Sequence, residues 1–143
     1  MPLAYRCDPA AKLAISVFDG DVTHAEWTGM LARQLADPLW QATTMGLSDL
    51  STALIPMFTD SQLEEIKQQY ASRADRSAGR RMAMIANRSW DAALLLGDAA
   101  QRLTARAIVF NELTRACTWL GVDVAAVRTT IADLRAELKA GLQ

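Results

Sequence analysis

The stretch that most constrains this chain is Arg81-Met82-Ala83-Met84-Ile85-Ala86, which is apolar after its first residue and shows no polar alternation. A strand of this kind buries both faces, and such strands lie inside parallel sheets covered by helices. A parallel neighbour is reached only through a crossover connection, usually a helix. The run therefore predicts an α/β fold, in which the flanking segments alternate between strand and helix.

The flanking patterns supply that alternation. Leu3, Tyr5 and Cys7 alternate with Ala4 and Arg6, a turn follows at Asp8-Pro9-Ala10-Ala11-Lys12, and Leu13, Ile15 and Val17 alternate again before Gly20, which reads as a β-hairpin. Thr23-His24-Ala25-Glu26 is a capping box that opens a helix striped by Trp27, Met30, Leu31 and Leu35. Asp37-Pro38 should end that helix, and a short strand is expected over Met45 to Leu50. A second box, Thr59-Asp60-Ser61-Gln62, opens a helix with Leu63, Ile66, Tyr70 and Ala74 on one face. Trp90 to Leu103 reads as a helix weakened by Gly97, and Ala105 to Phe110 as another buried strand. Asn111 is expected to cap a short helix ending at Gly121, and Asp123 to cap a last one.

At 143 residues, 51% apolar and 22% charged, the chain fits one domain with one core, and disulfides or metals are not needed for stability. The expected architecture is a mixed sheet of about five strands, an N-terminal hairpin followed by parallel β-α units, with helices packed on it. Residues 1–121 form the α/β domain in this reading, and 122–143 add a C-terminal amphipathic helix to it. In that helix Val124, Val127, Ile131, Leu134 and Leu138 recur at heptad spacing. Such a seam either covers the chain's own sheet or serves as a homodimer contact.

The net charge of −1 excludes the strongly basic balance that counterion release on nucleic acid favours, so no nucleic-acid partner is expected. The first residues lack the charged leader and apolar core of a signal peptide, and no apolar run approaches the length of a membrane span. Cys7 and Cys117 are the only thiols and form no Cys-x-x-Cys pair, which fits a cytoplasmic protein with two inert thiols. His24 is the only histidine, with no clustered ligands beside it, so neither a cofactor nor a metal is expected. Only His24 beside Cys117 or beside a buried carboxylate in space would suggest catalytic chemistry.

Two further segments invite a ligand. Arg73, Arg76, Arg80, Arg81 and Arg88 crowd a stretch whose only acid is Asp75, a pattern suited to an anion through planar, bidentate contacts. Ser51 to Phe58 reads Ser-Thr-Ala-Leu-Ile-Pro-Met-Phe, unusually apolar for a connection. Leu54, Ile55, Met57 and Phe58 with Arg76, Arg80 and Arg81 are the candidate ligand or partner surface, an apolar wall with a cationic rim suited to a lipid-like or acyl anion.

The order and spacing of several segments also carry a family resemblance. Tyr5-Arg6-Cys7-Asp8-Pro9, Leu35-Ala36-Asp37-Pro38-Leu39-Trp40, Ser48-Asp49-Leu50-Ser51, Arg80 through Ala86, and Ala116-Cys117-Thr118-Trp119-Leu120-Gly121 together resemble the bacterial SpoIIAA-like superfamily. These are STAS-type domains related in fold to anti-sigma-factor antagonists and grouped with lipid-transfer CRAL-TRIO domains. The resemblance covers residues 2 to about 121 and implies a small sheet with helices on it, with a role in binding or signalling rather than catalysis. Regulated members carry an acceptor serine in Asp-Ser-Ser-Gly-Leu-Gly at a helix start. The nearest match here is Asp60-Ser61-Gln62-Leu63-Glu64-Glu65, which lacks the second serine and the glycines and adds two acids, leaving Ser61 as a weak phospho-acceptor candidate. The leading expectation is a non-enzymatic regulatory or protein-interaction module. The alternative is a carrier for a small amphiphilic anion.

Overall fold

The computed structural model describes residues 2–73, 79–101 and 106–141. Strands β1 (Leu3–Asp8) and β2 (Leu13–Asp21) form the hairpin, followed by β3 (Met45–Leu54), β4 (Arg81–Ile85) and β5 (Arg106–Phe110). They lie side by side in chain order, β1 antiparallel to β2 and every later pair parallel. The mixed α/β sheet expected from the sequence is the one observed.

Sequential order decides where the helices go. Right-handed crossovers that always step in one direction leave their helices on one face. Helices α1 (His24–Ala36) and α2 (Pro38–Gln41) link β2 to β3, α3 (Asp60–Ser72) links β3 to β4, and α4 (Trp90–Gln101) links β4 to β5. Their apolar stripes meet Leu3, Phe18, Leu50, Met84 and Ala107 of the sheet in one core: Trp27, Met30 and Leu31 from α1, Ile66 and Tyr70 from α3, Ala93 and Leu96 from α4. The other face would be bare without α5 (Leu113–Leu120) and α6 (Val124–Ala140), which cover Ala4, Ile15, Val17, Leu47, Ala83 and Ile85.

Both capping boxes form. Thr23 Oγ1 accepts from Glu26 N while Glu26 Oε1 accepts from Thr23 N, and Thr59 and Gln62 do the same. Asp123 accepts from Ala126 N at the start of α6. Gly121 ends α5 with φ of 74°, a left-handed cap that glycine adopts without a Cβ penalty. Asp37 ends α1 as expected, and its side chain then caps α2, with Pro38 at the first helical position.

Several boundaries differ from the sequence reading. β3 continues past Leu50 to Leu54, because Thr52, Ala53 and Leu54 pair with Asp19, Gly20 and Asp21 after a shift in register. The first half of the apolar "connection", Ser51 to Leu54, is therefore strand. Glu112 rather than Asn111 sits at the N-cap of α5, without a side-chain cap bond. β5 is an edge strand with only Ala107 buried and Ile108 41% exposed, not the two-faced buried strand expected. Ala74, Leu103 and Ala105 of the expected elements lie outside the described residues.

The heptad seam of α6 belongs to its own sheet. Val127, Ile131 and Leu134 are buried, chiefly against β1 and β2, with Val124 and Leu138 half-buried beside them. The proposed homodimer contact through this seam is thus already occupied within the chain. Polar pairs flank it: Arg6 Nη2 donates to Glu137 at 2.6 Å, and Arg135 Nη2 to Asp49 at 2.7 Å. No described helix is long and apolar enough to cross a membrane.

Candidate functional site

In an open parallel sheet the loops at the carboxyl ends of the strands carry the site, because there the strands diverge into helix starts. A cleft of about 550 Å³ lies at this edge, where β2, β3 and β4 give way to α1, α3 and α4. Its floor is Val22, Ile55 and Phe58, all buried, and its lip is Leu54 and Met57, 43% and 59% exposed.

Hydrogen bonds hold the floor in place. Val22 N donates to Leu54 O at 3.0 Å, tying the end of β2 to the end of β3. Ser89, buried, accepts from Ile55 N at 2.8 Å and donates to Ala53 O at 3.1 Å, so the β4–α4 loop is stapled across β3. The apolar loop over Ile55 to Phe58 is therefore a fixed wall, and the Ser89 carbonyl also accepts the first bond of α4 from Ala93 N.

Polar groups ring this wall. The amino ends of α1, α3 and α4 reach the cleft through Thr23 and His24, through Gln62, and through Ser89, and helix amino ends favour anions. Arg88, exposed, adds a full positive charge, and Asp21 an opposing negative one. His24 Nε2 lies 3.2 Å from Glu65 Oε2, and its ring meets Phe58 edge-on at 5.5 Å. The imidazole thus braces the start of α1 against α3 from inside the cleft.

The candidate residues from the sequence divide sharply. Leu54, Ile55, Met57 and Phe58 come together here. Arg80 and Arg81 do not join them, because they stand at the opposite, amino end of β4, where Arg81 pairs with Met45, about 30 Å from Leu54 by strand rise along β3. Arg81 donates to the Trp119 and Leu120 carbonyls at 3.2 and 3.3 Å and closes the end of α5. Arg80 is buried under Trp40. Arg76 lies outside the described residues. The arginine that reaches the cleft is Arg88, whose signal was its place just after the apolar run of β4. Val22, His24 and Ser89 were missed as lining residues, although each follows closely on a strand.

Ser61 is exposed in the first turn of α3, beside the Thr59 cap and outside the cleft lining. His24 and Cys117 cannot meet: His24 opens α1 on one face of the sheet, and Cys117 lies in the core of the other. Burial pushes the Cys117 thiol up, away from thiolate chemistry. Among the described residues no three His, Cys, Asp or Glu side chains cluster as metal ligands.

No protein-family model matches the sequence, and no curated protein matches it. Among solved structures the chain is similar to an uncharacterized protein of the DUF3478 family from Shewanella loihica PV-4, described as having a SpoIIAA-like fold. The TM-score is 0.48 and the identity 15%, over 82% of this chain and 93% of that one.

Proposed function

We propose that this protein is a non-enzymatic binding module whose carboxyl-edge cleft takes a small amphiphilic anion, such as an acyl carboxylate. The observation that supports this reading is the apolar floor of Val22, Ile55 and Phe58 joined to Arg88 and helix amino ends in a single cleft. The apolar tail would displace water from the floor and lip, worth roughly 25 cal/mol per Å² of apolar surface removed from water. The head group would meet Arg88 at the rim, where exposure to solvent keeps a charge pair modest. A protein-interaction role through the C-terminal helix is a weaker reading, because the apolar seam of that helix is spent on its own sheet.

Native mass spectrometry of the purified protein and thermal unfolding with a series of carboxylates of increasing chain length test the proposal. The unfolding temperature is expected to rise with chain length, with affinity falling about tenfold in Met57→Asp and two- to fivefold in Arg88→Gln. Empty protein that shows no shift with any carboxylate, or an equal shift in both variants, overturns it.

A further inference from the structure

Arg80 is a cation placed where cations are costly. Only 2% of the residue is exposed, and its guanidinium carbon sits 3.7 Å from the centroid of the Trp40 ring. Nη1 donates to Thr43 O at 2.8 Å, and Nη2 to Thr43 Oγ1 at 2.6 Å and Met45 O at 3.2 Å. These acceptors are all neutral. Among the described residues no carboxylate pairs with Arg80, and burial pulls its pKa down to about 10, which leaves it charged at neutral pH.

One donor nitrogen is left without any partner. Nε is buried and has no hydrogen-bond partner. Arg80 lines a cavity of about 20 Å³ between the sheet and the α1–α2 layer, with Ser16, Gln34, Gly46 and Ser48, which is room for one atom-sized guest. The polar side chains around that space can each offer a hydrogen to a guest. Ser16 Oγ already accepts from Gln34 Nε2 at 2.9 Å, so its hydroxyl hydrogen is free to point elsewhere. The Gln34 amide keeps a second hydrogen, and the Ser48 hydroxyl is a rotor that makes no side-chain hydrogen bond among the described residues. Gly46 and Ser48 are only half-buried, which leaves a way in.

A buried, unneutralised positive charge beside a one-atom space lined by groups that can donate is complementary to a small anion. A water molecule would fill the volume but would leave the charge uncompensated. We propose that the cavity beside Arg80 is a binding site for one monovalent, halide-sized anion, chloride in the cell. The site lies at the opposite edge of the sheet from the amphiphile cleft and does not depend on it. It neutralises the guanidinium that joins Trp40 to the starts of β3 and β4, and so ties the stability of that corner to halide.

Crystals grown in bromide give the direct test. Bromide is expected as an anomalous scattering peak on Arg80 Nε, whereas ordinary water density without anomalous signal overturns the proposal. In solution, the unfolding temperature in chloride is compared with that in gluconate at equal ionic strength. A rise on the order of 5 °C is expected when chloride exceeds its Kd about tenfold. Gly46→Ala serves as the control that keeps Arg80: a Cβ there meets Arg80 Nε and Nη2 at an ordinary 3.7 Å, so the variant should fold while losing space for the ion. It is expected to lose both the bromide peak and the chloride-dependent rise. The same response to chloride and gluconate in the unaltered protein, or an undiminished rise in Gly46→Ala, overturns the site.

Discussion

Asp49 shows how one residue can fix two elements. Its carboxylate, 6% exposed, accepts from Ser51 N at 2.9 Å and from Arg135 Nη2 at 2.7 Å, so β3 and α6 share one charge pair. Removing one partner leaves a buried charge uncompensated, which costs more than the pair itself contributes. Arg135→Ala is therefore expected to lower stability by about 2–3 kcal/mol in urea unfolding. The double change Arg135→Met with Asp49→Leu should cost markedly less, and equal losses would refute the desolvation argument. Tyr70 is the second case. Burial raises its pKa from 10.0 to about 12, so the folded protein holds the phenol proton where the unfolded chain has lost it. That contribution is complete below pH 10 and lost as pH rises toward 12. Stability of the unaltered protein should accordingly fall by about 2–3 kcal/mol relative to Tyr70→Phe across this window. The Arg80 charge acts on the Tyr70 phenol, so the comparison reads the phenol together with that interaction, and parallel pH profiles would exclude the effect. At this scale the sequence was least legible. Arg80 reads as a solvated rim charge until Trp40, far away in the chain, is folded over it.

Elements were far more legible than single contacts, because their signals are local. Thr23 with Glu26, Thr59 with Gln62, and Asp123 each satisfy amides within a few residues of themselves, so a helix start is written where it occurs. Strand ends are not. The extension of β3 to Leu54 depends on partners in β2, and a shared ladder leaves no mark in one strand's own pattern. The seam of α6 was equally ambiguous: a heptad stripe fits a second subunit or a sheet, and the face exposed by the one-sided crossovers decides for the sheet. A chain ending at Gly121 would uncover Ala4, Ile15 and Val17 on β1 and β2. It is expected to lose its near-ultraviolet circular dichroism, bind a hydrophobic dye and associate. A monomeric truncation with an intact near-ultraviolet spectrum would show that α6 is dispensable.

For the whole molecule, strand order does the positioning. Stepping in one direction from β2 to β5 brings the amino ends of α1, α3 and α4 to one edge, beside the apolar wall of Leu54 to Phe58. The wall was visible in the sequence as an oddly apolar connection. Its cation was misassigned, because Arg80 and Arg81 open β4 whereas Arg88 follows it, and the two ends of one strand lie at opposite edges of the sheet. The sequence by itself determined the α/β class, the hairpin, the helix starts and the apolar character of the lip, since propensity, periodicity and capping act over a few residues. The tertiary structure alone decided which face α6 covers, which arginine reaches the cleft, and that Arg80 is buried beside a one-atom cavity. Those outcomes depend on groups tens of residues apart brought together by burial, and no local pattern encodes them.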